Sequence, residues 1–161
     1  MAIQVYRVIP EDNAANIHAG DIVAIPQEDK TFSCSEAKTL TEKVFEETRI
    51  AINSEYPSRK SCLFVLPYDK TIVEQWVRAH HPHDDWDYAL LTLELSGNLL
   101  WCDEDKFTSA GIPFYAQVRE SLAQEYWKSA KNDFCGFEMP EGLFVGEAII
   151  VDVEHKHHKG I

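Results

Sequence analysis

Cations are scarce in this chain. It carries 15 Lys and Arg against 27 Asp and Glu, a formal charge of −12, and a field of that sign repels polyanions and leaves no electrostatic footprint for tight duplex binding. A local basic groove remains compatible with it. Long apolar runs are missing too: no stretch approaches the ~18 apolar residues of a membrane span. The opening MAIQVYRVIPEDNAANIHAG has neither the basic start nor the apolar core of an export signal. The expectation is a soluble, cytoplasmic protein without membrane contact. The four cysteines, Cys34, Cys62, Cys102 and Cys135, form no CxxC pair and are too few for a disulfide framework. They read as buried thiols in a reducing compartment. Internal repeats, low-complexity tracts and Gly/Ser or Pro-rich linkers are also lacking, so residues 1–153 read as one domain and EHKHHKGI, 154–161, as a loose, basic, histidine-rich tail.

What is present suits a packed globule. The 18 aromatic residues and the 45% hydrophobic content are what a core needs. IQVYRVI, closed by Pro10, predicts a first strand, and GDIVAIP a second short extended piece. In SCSEAKTLTEKVFEETRIAIN, Ser35 is a candidate cap and Leu40, Val44, Phe45 and Ile52 recur at helical spacing. SEYPSR ends that helix at Pro57, KSCLFVLP predicts a buried strand, and TIVEQWVRAH a helix with Ile72, Val73, Trp76 and Val77 on its apolar side. YALLTLELSGNLLWCD predicts a hairpin turning at Ser96-Gly97-Asn98. PFYAQVRESLAQEYWKSA predicts a helix opening after Pro113, with Val118, Leu122 and Tyr126 inward. EMPEGLFVGEAIIVDV predicts two short strands kinked at Gly146. Helices inserted between short strands indicate an α+β fold with a mixed, mainly antiparallel sheet.

Three stations stand out along this order: Tyr6-Arg7 in the first strand, Pro57-Ser58-Arg59-Lys60-Ser61-Cys62-Leu63-Phe64-Val65 entering the middle strand, and Pro140-Glu141-Gly142-Leu143 opening a late strand. Their order and context resemble the ADP-ribosyltransferase superfamily, and FEETRIAINSEYPSRKSCLFV is similar to an uncharacterised bacterial branch of it. The resemblance implies an ADP-ribosyltransferase-like fold and a reaction with NAD as substrate. In that family an Arg or His on the first strand binds NAD, a Ser-containing or Tyr-containing strand precedes a helix, and a Glu opening a late strand is catalytic.

Breaking the bond between nicotinamide and ribose leaves positive charge on the sugar, which a fixed carboxylate stabilises. Glu141 is the candidate for that carboxylate; otherwise it is a surface glutamate in a turn. The pyrophosphate of NAD calls for a planar, permanent cation. Arg7 is the candidate, unless β-edge placement turns it outward. Ser58 and Ser61 are candidates for orienting the ribose or Glu141, while Ser58 equally suits capping the turn after Pro57. Arg59 is a candidate phosphate partner or a salt-bridge partner of an acid, and Arg49 likewise. Phe64 stands where relatives carry an aromatic near the nicotinamide, and core packing accounts for it as well. On this reading Glu141→Ala abolishes turnover and leaves folding nearly intact.

The sequence departs from the family's pattern in two places. Met139 stands where a Glu or Gln would assist the acceptor, with Glu138 one residue further back, and no Ser-Thr-Ser triplet precedes the middle strand. The acceptor-activating residue is thereby unassigned. The resemblance implies a macromolecular acceptor, protein or nucleic acid, in a bacterial toxin, effector or phage-conflict setting, with an antitoxin or chaperone as a conceivable partner. The rival is a non-catalytic binding module of the same fold. His80, His81 and His83 before Asp84 and Asp85 carry ligand chemistry but no metal-site spacing, so no metal is expected. His155, His157 and His158 read as incidental. No motif pairs a cysteine with a histidine as a nucleophile, and no spacing selects two carboxylates for glycoside hydrolysis.

Overall fold

The computed structural model describes residues 2–26 and 36–161. Among these it has a mixed α/β architecture with a mainly antiparallel sheet and four α-helices. The strands are β1 (Ile3–Pro10), β2 (Ile22–Val23), β3 (Leu63–Val65), β4 (Trp86–Asp103) and β5 (Pro140–His158), and the helices are α1 (Glu36–Asn53), α2 (Lys70–His80), α3 (Glu104–Ala110) and α4 (Arg119–Lys128). The sheet order is β1-β4-β5-β2, with β3 paired to β5. No helix among the described residues is long and apolar enough to cross a membrane. The chain divides into two compact units, residues 1–24, 64–97 and 146–161 forming the first and residues 25–63 and 98–145 the second.

In the first unit, β1 lies antiparallel to the opening half of β4, with Val5 opposite Leu93 and Arg7 opposite Leu91. β2 pairs with β5 at Ile22–Ile149 and Val23–Ala148. Tyr6 and Leu66 exchange backbone hydrogen bonds of 2.9 and 2.7 Å, so the other edge of β1 is engaged at that point. α2 is capped by Asp69, whose carboxylate accepts from the Thr71 amide at 2.9 Å. Its Val73 and Val77, four apart on one face, pack with Tyr6, Leu66, Tyr88 and Leu90, flanked by Val8, Trp76 and Trp86. The strand continues through residues 154–158, which the sequence reading set apart as a loose tail. His157 Nδ1 lies 2.6 Å from Asp87 and the Gly160 amide donates to Asp85 at 2.9 Å.

The second unit packs α1 against α4, and α3 against α4. Phe45 of α1 is fully buried and meets Phe107 and Tyr126 edge-on, at 5.0 and 5.1 Å between centroids. The Trp127 indole N–H donates to the Phe45 carbonyl at 2.8 Å, tying α4 to α1.

Several expectations are corrected. Ser96-Gly97-Asn98 makes no hairpin: β4 runs on through it as one strand, with Gly97 taking a positive φ of 151° that glycine tolerates without a side-chain clash. Gly146, at φ 148°, likewise sits inside one long β5 instead of ending a short strand. The segment after Pro113 opens as a 3-10 helix (Pro113–Val118) before α4. Val118 is exposed and the buried side of α4 is Arg119, Ala123, Tyr126 and Trp127. Leu40 is exposed, and the inward stripe of α1 runs through Thr41 and Phe45. The proposed cap, Ser35, lies outside the described residues.

The inward stripe of α1 has a direct test by urea denaturation. Phe45→Ala should cost about 3–5 kcal/mol, as large-to-small core substitutions do, whereas Leu40→Ala should stay within about 0.5 kcal/mol.

Candidate functional site

The second unit holds a set of buried and partly buried charged groups built on one side of α1. Glu42, Glu46 and Arg49 are spaced four and then three residues apart, which places them on one helical face beside the buried Thr41 and Phe45. Arg49 pairs with Glu46 and also donates to the carbonyls of Ser54 and Tyr56, at 2.7 and 2.8 Å. It thereby pins the chain as it leaves the helix. The free oxygen of Glu46 accepts the Ser58 hydroxyl at 2.7 Å, and that hydroxyl oxygen accepts the Lys60 amide at 3.2 Å. Ser58 is therefore the capping residue of its turn, with donor and acceptor both committed.

The neighbouring residue, Arg59, points the other way into the interior. It is 7% exposed. Its Nε donates to Glu42 at 3.2 Å and its Nη1 to the Tyr126 hydroxyl at 2.6 Å and to Glu141. The Tyr126 hydroxyl in turn donates to Glu141 Oε1 at 2.6 Å. The guanidinium carbon lies 3.6 Å from the centre of the Phe107 ring, a cation-π contact that adds to the ion pairs. A charge this deep is tolerated because it is paired and hydrogen-bonded on several sides.

Electrostatics follow from this packing. Burial works against the Arg59 charge, but Glu141, Tyr126 and Glu42 outweigh it and hold the guanidinium's pKa well above its ordinary value. Burial pushes the Glu141 carboxyl up, the Arg59 charge pulls it down, and Glu104 adds to the upward push. Burial likewise raises Tyr126 well above the usual phenol range and also raises the Cys102 thiol, which Glu141 pushes further up. A thiol buried and raised in this way favours the protonated form. For Glu46 burial again acts upward, but the Arg49 and Ser58 hydrogen bonds together prevail and its pKa is lowered.

Of the residues singled out in the sequence, Ser58, Arg59 and Glu141 come together in this network. Ser61 is half-buried, its amide donating to the Ser58 carbonyl at 3.1 Å as part of the same turn. Arg7 and Phe64 belong to the first unit, where Arg7 Nη1 donates to the Phe64 carbonyl at 2.7 Å and the Phe64 ring is half-buried. The histidine-rich loop is occupied with local contacts: His81 pairs with Asp84 at 2.9 Å and stacks on Trp86, and His80 bonds the Trp76 carbonyl. No cluster of three or more metal-ligating side chains occurs among the described residues. Sequence reasoning missed Glu42, Tyr126 and Phe107. The Glu42/Glu46/Arg49 spacing on a helix leading to Pro57-Ser58-Arg59 was the one available signal.

Residues 11–157 match a family described as a protein of unknown function, DUF2441. The chain belongs to that family. The match includes every residue of the Arg59 network, from Glu42 to Glu141. No curated protein matches the chain.

Two predictions follow from the buried charges. In place of nearly intact folding in Glu141→Ala, the burial of this pair predicts a loss: Arg59→Ala should cost about 3–5 kcal/mol because it leaves Glu141 buried without its cation, Glu141→Ala should cost less because Glu42 still pairs with Arg59, and Arg59→Met with Glu141→Leu should recover most of the loss. Denaturant midpoints of the three variants measure this. For Glu46 the lowered pKa means that its contribution is present above the ordinary value of 4.5 and lost as pH falls below it. The midpoint of Glu46→Gln should therefore sit below wild type at pH 7 and converge on it in acid.

Proposed function

We propose that this protein is an NAD-dependent ADP-ribosyltransferase of the corresponding fold, acting on a macromolecular target, protein or nucleic acid. The observation that supports it is the side-chain meeting of Arg59, from the Pro-Ser-Arg turn, with Glu141, from the start of β5. These are two of the three stations on which the resemblance rests, and they share one network although 82 residues separate them.

In this reading the bond from nicotinamide nitrogen to ribose C1′ breaks and its electron pair leaves with nicotinamide. The Glu141 carboxylate stabilises the positive charge left on the ribose. A nucleophile of the target, or water, then attacks C1′ and gives up its proton. Arg59 and Tyr126 favour the ionised form of Glu141, while burial, the larger effect, holds its pKa above the ordinary value. Ser58 acts at one remove by shaping the turn that delivers Arg59. Such chemistry suits a toxin, effector or phage-conflict protein.

One observation favours the second reading, a non-catalytic binding module. Glu141 is only 6% exposed, and its Oε1 already accepts from two donors. A carboxylate so engaged serves a fold as readily as a reaction.

Nicotinamide release from NAD, measured with cell lysate as a source of acceptors, distinguishes the two. Wild type should release nicotinamide and Glu141→Gln should lose at least a hundredfold in rate, with circular dichroism reporting that the variant is folded. Absence of release by wild type, with no NAD binding by calorimetry, returns the protein to the binding-module reading. Arg7 is tested on its own: Arg7→Ala should weaken NAD binding at least tenfold.

A further inference from the structure

We infer that Tyr126 is a positioning residue for Glu141, and that Arg59, divided between Glu42 and Glu141, sets the charge state of that carboxylate. The inference rests on the catalytic reading above only for its kinetic arm. Its basis is geometric. Tyr126 sits in the last turns of α4 with its ring locked between Phe45 and Trp127, at 5.1 and 4.8 Å, so its hydroxyl has one place to go. That hydroxyl accepts from Arg59 and donates to Glu141 Oε1, each at 2.6 Å. With Glu141 ionised the direction of donation is fixed, since a guanidinium has no acceptor and a carboxylate no proton to give. Tyr126 therefore relays the positive charge of Arg59 onto the same oxygen that Arg59 reaches directly.

Glu42 competes. It draws the Nε side of the guanidinium at 3.2 Å, so one cation serves two carboxylates. The other titratable groups facing Glu141 are Glu104 from α3, whose like charge disfavours ionisation of Glu141, and Cys102 from β4, whose thiol is pushed up by burial. Removing the Tyr126 hydroxyl takes a donor from the ionised form and favours protonated Glu141. Removing the Glu42 charge frees Arg59 for Glu141 and favours the ionised form. The two changes act with opposite sign.

The experiment follows the Glu141 side chain by carboxyl carbon-13 NMR, assigned by its absence in Glu141→Gln, with Glu141→Asp as a second assignment if the glutamine variant does not fold. In Tyr126→Phe, which keeps the ring packing, the Glu141 titration should move to higher pH. In Glu42→Gln it should move to lower pH. A packing role alone would move neither, so an unchanged titration in both, or shifts of the same sign, overturns the inference. If Tyr126→Phe fails to fold, the direction in Glu42→Gln decides. In parallel, Tyr126→Phe should lower kcat for nicotinamide release roughly tenfold, the scale of one hydrogen bond to a charged group, with KM nearly unchanged and the acid limb of the pH profile moved upward. A wild type that releases no nicotinamide removes the catalytic reading, and the titration still tests the positioning of Glu141 by itself.

Discussion

A single guanidinium organises the second unit. Arg59 is reached by Glu42 from α1, Tyr126 from α4, Phe107 from α3 and Glu141 from β5, so three helices and a strand are referred to one charged centre. Coulomb attraction is long-ranged and strong where water is excluded, and a guanidinium offers its donors in a fixed planar fork. The aromatic packing around it, Phe45 against Phe107 and Tyr126, excludes the water that would weaken those bonds. The apolar and the charged parts of this interior depend on each other, because without the rings the pairs would be screened and without the pairs the charge could not be buried.

The route by which Arg59 arrives is itself held by charge. Arg49 fixes the carbonyls of Ser54 and Tyr56, Glu46 fixes Arg49 and Ser58, and Ser58 closes the turn that turns Arg59 inward. A helix face carrying Glu42, Glu46 and Arg49 thus does two jobs, one outward along the backbone of the following loop and one inward at the next arginine. Burial first, and then the Glu141 charge beside it, pushes the Cys102 thiol up, while Arg59 acts the other way.

Much of the fold was legible where local signals were strong: β1 lies where a β-branched and aromatic run closed by Pro10 puts it, and α1 and α2 where helical spacing puts them. The errors cluster at glycines and at short elements. Ser96-Gly97-Asn98 carries the residues of a tight turn, yet glycine's freedom also suits a continuous strand, and local sequence does not distinguish the two. α3 was missed because its seven residues carry too little periodicity, although Asp103 caps it as its type allows. In the site, Ser58, Arg59 and Glu141 were visible as residues, but that Arg59 meets Glu141 was not, since contact across 82 positions leaves no local pattern. Tyr126 was read as one of three inward apolar residues, and its hydroxyl carries the more specific role.

The two acids that share Arg59 differ in how far along the chain they stand, 17 residues away for Glu42 and 82 for Glu141. Closing the longer loop costs about 1.4 kcal/mol more in chain entropy than closing the shorter one. The Glu42 pair is thus the more local of the two, and Glu141 is the contact that ties the last strand back to a centre formed from the middle of the chain.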